Sequence, residues 1–150
     1  MTDDQLSLGG VATPRPRAKR GRGAVEPAAE LPVARICVDL PLPHLDRPFD
    51  YLVPATADAD AVPGVRVRVR FSGQLVDGYL LERAAASEHT GRLAFLERVV
   101  SAEPVLSPEI ARLAREIADR TAGTLADVLR LAVPPRHARA EKAAAATPVA

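Results

Sequence analysis

Val-Arg-Val-Arg-Val-Arg-Phe, the sequence of residues 65–71, alternates apolar and charged side chains without a break. Because successive side chains of a β-strand point to opposite faces, this period of two predicts a strand. Its three valines and Phe71 face a core. Its other face is cationic and carries Arg66, Arg68 and Arg70.

Further strands are predicted on both sides of this segment. Ser72, Gly73 and Gln74 form a tight connection, and residues 76–81 return as an antiparallel partner, which gives a hairpin. Upstream, Pro63-Gly64 is a turn signal. Two earlier strands, 35–40 and 49–53, flank a proline-rich loop, and residues 93–100 are predicted to form one more strand.

The chain becomes helical after residue 104. Ser107 and Pro108 are an N-cap and a first helical residue, and Gly123 is predicted to end this helix. Thr124 caps a second helix that ends before Pro134. The apolar face predicted for the first helix consists of Ile110, Leu113, Ala114, Ile117 and Ala118. The fold class is therefore α+β, a small antiparallel β-sheet or barrel-like core followed by a C-terminal helical hairpin.

Composition divides the chain into three segments. Residues 1–34 are rich in Gly, Pro, Ala and charge, with five basic groups within 15–22, and are predicted to be a disordered basic arm. Residues 35–134 form the folded unit. Residues 135–150 are predicted to be a linker or the truncated start of a next domain.

Overall composition excludes several classes of protein. The 150 residues include 20 Lys+Arg and 19 Asp+Glu, so a net charge of +1 creates no global field that would attract nucleic acid. Aromatic residues make up only 3%, which disfavours a broad stacking platform. Cys37 is the single cysteine, and a chain that cannot form an internal disulfide is typical of a reducing compartment. No signal peptide or membrane anchor is recognised, so we expect a cytoplasmic, nucleoid-associated location with no membrane partner.

We recognise no arrangement of residues in the sequence that is typical of a catalytic site. The three histidines, His44, His89 and His137, lie far apart and without ligands at metal spacing. No phosphate-binding loop of the P-loop type occurs. Cys37 alternates with core residues, so we interpret it as a packed thiol rather than a nucleophile. We therefore expect a chain that is not an enzyme and holds no metal or cofactor.

The arginine face has two interpretations. Its cations could pair with acids of the adjacent strand, such as Asp77 or Glu82. Alternatively it is a phosphate-contacting ridge, since alternate residues lie about 6.6 Å apart at about 3.3 Å rise per residue. The basic arm also has two interpretations: it could tether the domain to nucleic acid, or it could be a solvated tail.

A family resemblance becomes specific around Phe49-Asp50-Tyr51. A strand, a proline-rich loop ending in a basic residue, this tripeptide, a Pro three residues after the tyrosine, a Pro-Gly turn and Val-Arg-Val occur in that order. Glu-Pro-Val-Leu at 103–106 and Ala-Val-Pro at 132–134 follow. From residue 35 to residue 134 the chain resembles the N-terminal DNA-binding domain of the PriA family (primosomal protein N-prime), the bacterial replication-restart helicases.

The resemblance implies binding of single-stranded 3′ ends and forked DNA. It implies a pocket made by Phe49, Asp50 and Tyr51 with the loop at Ser72 and Gly73. Our hypothesis is that Asp50 accepts a hydrogen bond from a sugar hydroxyl or base amine and repels a phosphate. Either ring could stack on a base. The alternative is that strand alternation buries both rings and leaves Asp50 as the direct contact.

The sequence also departs from the family. A lysine that contacts the terminal nucleotide in the family is replaced by Ala94, with Arg92 and Arg98 nearby. Asp119-Arg120-Thr121 stands where the family commonly has paired tyrosines, which affects packing between helices. Beyond Ala150 the resemblance implies a winged-helix domain, helicase lobes that bind ATP and a zinc-binding segment. Other primosome and single-strand-binding proteins are the further partners that it implies. A different class remains open, namely a small β-rich module that binds protein or RNA through its basic tether.

Overall fold

A computed structural model describes residues 24–146, with side chains to residue 142. The predicted basic cluster at 15–22 lies outside these residues. None of the described helices is long and apolar enough to cross a membrane.

Five strands form one antiparallel sheet in the order β2-β1-β4-β3-β5. Their bounds are β1 Val33–Val38, β2 Phe49–Leu52, β3 Arg66–Phe71, β4 Gln74–Ala84 and β5 Arg98–Val99. The three valines at 65, 67 and 69 are completely buried, as the alternation predicted. Ser72 and Gly73 have φ of 49° and 78°, the left-handed pair that a two-residue hairpin of type I′ requires.

The sheet closes on itself through the segment 94–100. The amide of Leu52 on β2 donates to Ala94 O at 2.8 Å, and the amide of Leu96 donates back to Leu52 O at 2.9 Å. Farther along, the amide of Val100 donates to Arg66 O on β3 at 2.8 Å. The two edge strands are thus joined, and the barrel-like core is confirmed.

This closure corrects the prediction of a continuous strand over 93–100. Only Arg98 and Val99 pair as a strand, with β3. Ala94 and Leu96 are instead hydrogen-bonded to Leu52 at the opposite edge of the sheet. Because the segment crosses from one edge to the other, it cannot stay in register with a single neighbour.

Three helices follow the sheet, α1 Pro108–Thr121, α2 Leu125–Ala132 and α3 Ala138–Ala146. Ser107 Oγ accepts from the amide of Ile110 at 3.2 Å, and Thr124 Oγ1 accepts from that of Asp127 at 3.1 Å. Both predicted N-caps are confirmed. The helical hairpin α1–α2 covers the sheet, whereas α3 lies in the segment predicted to be a linker or the start of a next domain.

The buried face of α1 is narrower than predicted. Ala114 and Ala118 are buried, but Ile110, Leu113 and Ile117 are 42%, 52% and 41% exposed. The alanine side of the helix packs inward because small side chains permit a close approach of α1 to its neighbours. Helical periodicity marks a broad apolar face, and tertiary packing decides which edge of that face is used.

Two boundaries also differ from prediction. The left-handed residue that ends α1 is Ala122, with φ of 54°, and not Gly123. Only Ala122 and Gly123 lie between α1 and Thr124, the N-cap of α2, so the chain changes direction at Ala122.

At the N-terminus, Ala28 is 4% exposed and its amide donates to Val53 O at 2.8 Å. The packed chain therefore begins before residue 35, because this segment lies along the residues that follow β2.

Cys37 faces the helices from β1 and belongs to a second buried cluster with Tyr79, Leu106, Leu125 and others. Burial is the main cause that raises the pKa of its thiol to about 12. Because the thiolate is the reactive form, we expect negligible alkylation by iodoacetamide at pH 8 in the folded chain and one modified thiol per chain in denaturant. Mass spectrometry measures both states. Rapid labelling of the folded chain would contradict this arrangement.

Candidate nucleic-acid interface

A pocket of about 520 Å³ opens beside β2. Its wall is built from the end of the proline-rich loop, from β2, from the end of β3 and from the loop after β4. Of the predicted site residues, four line it, namely Asp50, Tyr51, Arg70 and Arg92. Arg47 and His89 add two further basic side chains, and Glu88 adds a second carboxylate. The pocket therefore presents two carboxylates among three arginines and a histidine.

Asp50 is held by two neighbours. Its side chain is 17% exposed, and Arg35 Nε lies 3.8 Å from Oδ1. Ser87 Oγ donates a hydrogen bond to Oδ2. Arg35 also pairs with Glu82, and that hydrogen bond is the main cause that raises the pKa of Arg35. The carboxylate is thus fixed at the pocket wall while part of it stays accessible.

The two aromatic rings beside Asp50 pack inward. Tyr51 is 6% exposed, its hydroxyl donates to Arg70 O at 3.1 Å, and burial raises its pKa. Phe49 meets Phe71 edge to face, with ring centroids 4.9 Å apart, and Arg47 lies 5.3 Å from the Phe49 centroid. Phe49 does not line the pocket. Both rings therefore pack against the core of the sheet, Tyr51 buried and Phe49 half-buried.

The hairpin turn lies apart from this pocket. Ser72 and Gly73 are exposed at the tip of β3–β4 and do not line the wall around Asp50. The turn is linked to a residue of the pocket wall through Gly73 O, which accepts a hydrogen bond from Arg70 Nη1 at 3.3 Å.

The arginine face of β3 is paired rather than free. Arg68 Nε lies 2.9 Å from Asp77 Oδ1, which confirms one of the two predicted partners, and Arg70 Nε lies 3.3 Å from a Glu97 oxygen. Arg66 donates to Pro134 O and to the Tyr79 hydroxyl, and so ties the end of α2 to the sheet. These contacts favour the first interpretation over a phosphate ridge. Only Arg70 reaches the pocket, and the other two line a separate cleft of about 260 Å³.

The resemblance places the family's lysine at Ala94. Ala94 lines the pocket, and so does Arg92, which is exposed. Arg98 instead pairs opposite Arg68 on β3 and lies outside the lining. Arg92 thus lines the same pocket as Ala94, as do Arg47 and Arg70.

Sequence reasoning missed Ser87, Arg35 and Arg47 as parts of this site. Ser87 is 37 residues from Asp50, and no spacing rule links a loop serine to a strand aspartate. It also missed a second, apolar pocket of about 420 Å³ between the proline-rich loop and α1. Asp46 and Arg115 form its main ion pair. Within residues 24–146, no three His, Cys, Asp or Glu side chains are grouped as a metal would require.

Comparison with known protein families decides the relationship. The family model described as the 3′DNA-binding domain (3′BD) of PriA matches residues 35–134. The chain belongs to this family. The probable replication restart protein PriA of Mycobacterium tuberculosis (strain CDC 1551 / Oshkosh) is 65% identical over 103 residues, which are 69% of this chain. The Mycobacterium leprae protein of the same description is 61% identical over 110 residues, 73% of the chain.

A more distant relative is the replication restart protein PriA of Bacillus subtilis, 30% identical over 89 residues, 59% of this chain. The matched regions cover 16%, 17% and 11% of the three relatives. The chain therefore corresponds to a small part of each relative's length, and the resemblance inferred from the sequence is confirmed.

Proposed function

We propose that this chain binds single-stranded 3′ ends and forked DNA, and that the pocket beside Asp50 receives the 3′-terminal nucleotide. The observation that carries the proposal is the position of Asp50, a partly accessible carboxylate fixed at the wall of a pocket rich in basic groups. Family membership supports the DNA partner, and the names of the relatives support a role in replication restart.

The chemistry of a carboxylate suits a free 3′ end. An ionised carboxylate accepts hydrogen bonds and cannot donate them, so it pairs with the 3′-hydroxyl of a terminal sugar. A phosphate in the same place would bring two negative charges together. A continuing strand carries such a phosphate, and therefore a free end is preferred.

Basic side chains around Asp50 suit the phosphates farther from the end. Arg92 makes no ion pair with any described residue and is exposed in the pocket lining. Arg70 is partly engaged by Glu97, and Arg47 lies against the Phe49 ring. Arg92 is accordingly the residue that we assign to backbone phosphate contact.

We expect Asp50→Ala to remove about a tenfold preference for a 3′-hydroxyl over a 3′-phosphate, which is the order of effect of one hydrogen bond to a charged group. Fluorescence anisotropy of the whole chain with an oligonucleotide bearing either end measures this ratio. Asp77→Ala is the matched control, because this exposed carboxylate pairs with Arg68 outside the pocket. It should keep the preference.

Equal binding of both ends by the unmodified chain would overturn the proposal. In that case affinity would follow salt alone, with a slope of about 0.7 per phosphate neutralised on a single strand, and the domain would be a general electrostatic or interaction module. As part of the same proposal, the domain is non-catalytic, and ATP and zinc are bound elsewhere in the longer family proteins. Other primosome and single-strand-binding proteins are proposed partners of those longer proteins.

A further inference from the structure

The loop after β4 contributes one side chain that touches Asp50. Ser87 Oγ accepts a hydrogen bond from the backbone amide of His89 at 3.0 Å and donates one to Asp50 Oδ2. The direction of the second bond is fixed, because an ionised carboxylate can only accept. The single hydroxyl proton of Ser87 therefore points at Asp50, and the local turn at His89 holds the hydroxyl in that orientation.

A cation stands on the other side of the same carboxylate. Asp50, Arg35 and Glu82 lie opposite one another on the neighbouring strands β2, β1 and β4. Arg35 Nε is 3.8 Å from Asp50 Oδ1, beyond hydrogen-bond distance, while Arg35 Nη1 is bonded to Glu82. Asp50 is thus drawn in two directions, toward Ser87 in the loop and toward Arg35 in the sheet.

We propose that Ser87 is a positioning residue that determines specificity for the 3′-hydroxyl by holding the Asp50 carboxylate toward the pocket. This inference rests on the proposed function. A carboxylate offers about four acceptor positions, so the single bond from Ser87 leaves capacity for a terminal hydroxyl. Without Ser87, the carboxylate turns toward Arg35 to shorten the 3.8 Å contact, and the nucleotide hydroxyl loses its acceptor.

The test compares Ser87→Ala with Ser87→Thr and with Thr90→Ala, an exposed control in the same loop that does not line the pocket. Anisotropy with 3′-hydroxyl and 3′-phosphate oligonucleotides gives the preference of each variant. For Ser87→Ala we expect a preference about three- to tenfold smaller, which is the value of one hydrogen bond. Binding of the 3′-phosphate end and the melting temperature should stay close to those of the unmodified chain.

The threonine variant keeps the hydroxyl and should keep the preference, as should Thr90→Ala. The double variant Asp50→Ala with Ser87→Ala should behave like Asp50→Ala alone, because the two residues act as one unit. A merely structural role for Ser87 would instead lower binding of both oligonucleotides equally together with the melting temperature, and that result overturns the inference.

Failure of this inference is separable from failure of the proposed function. If Asp50→Ala abolishes the preference and Ser87→Ala leaves it intact, Ser87 is not a positioning residue and the pocket assignment stands. If Asp50→Ala leaves the preference intact, the pocket assignment is wrong and the role of Ser87 is wrong with it.

Discussion

Replacement of Gly64 by alanine is expected to destabilise the fold by about 2–5 kcal/mol, the sum of a strained backbone and an overpacked site. Gly64 has φ of 96°, which favours glycine. A Cβ there would lie 2.2 Å from the carbonyl oxygen of Leu106, which is backbone and cannot rotate away. Gly64 O also accepts from the amides of Val105 and Leu106, so the whole entry to α1 would have to shift.

Thermal unfolding measures this effect, since each kcal/mol corresponds to about 4–8 °C for a domain of this size. Gly73→Ala is the matched control. Gly73 also has a positive φ, of 78°, but a Cβ there meets nothing within 4 Å. The Gly73→Ala variant should lose only the free energy of the strained backbone, about 1–2 kcal/mol. Equal losses in the two variants would show that the contact with Leu106 has no energetic role.

Asp46→Ala is expected to cost about 2–3 kcal/mol, because one carboxylate receives hydrogen bonds from two other elements. Arg115 of α1 donates to both of its oxygens, at 3.0 and 2.8 Å, and the amide of Leu125 at the start of α2 donates at 2.9 Å. The Asp46 side chain is 19% exposed. Its replacement removes the three hydrogen bonds by which this carboxylate joins the proline-rich loop to both helices.

Asp119→Ala supplies the control for this variant. Asp119 also pairs with Arg115, at 2.5 Å, but its side chain is 63% exposed. Solvent screening limits such pairs to about 0–1 kcal/mol. Urea unfolding of the two variants separates the linking role of Asp46 from the mere neutralisation of Arg115. Similar midpoints for the two would contradict the role assigned to Asp46.

The same carboxylate predicts a dependence of stability on pH. The hydrogen bond from Arg115 is the main cause that lowers the pKa of Asp46 below its ordinary value of 3.8. Since the pKa is lower in the folded than in the unfolded chain, the stabilisation is present above 3.8 and is lost as the pH falls through the folded value. The difference in unfolding free energy between the unmodified chain and Asp46→Ala should therefore narrow at acid pH. A constant difference would contradict this linkage.

Sequence alone predicted those parts of the fold that depend on neighbouring residues. The alternation of 65–71 fixes β3 because side chains of a strand face opposite sides whatever the rest of the chain does. Ser72-Gly73 and the caps Ser107 and Thr124 are equally local, since each satisfies a turn or a helix end within three residues. The family resemblance added the tripeptide at 49–51 as the centre of the site.

Long-range packing decided everything that these local rules leave free. Periodicity could not tell that α1 buries its alanines and exposes Leu113, because the apolar face of this amphipathic helix is broad enough to pack along either of its edges. Nor could it tell that the barrel closes through residues 94–100.

The candidate site shows the same division. Adjacent residues are enough to place Asp50 on a strand between two aromatic residues. Folding places Arg35 of β1 beside it, together with Ser87 and Arg92 from the segment between β4 and β5. Hydrogen bonds and ion pairs act over a few ångströms in space, and distance along the chain does not encode which residues folding will bring that close.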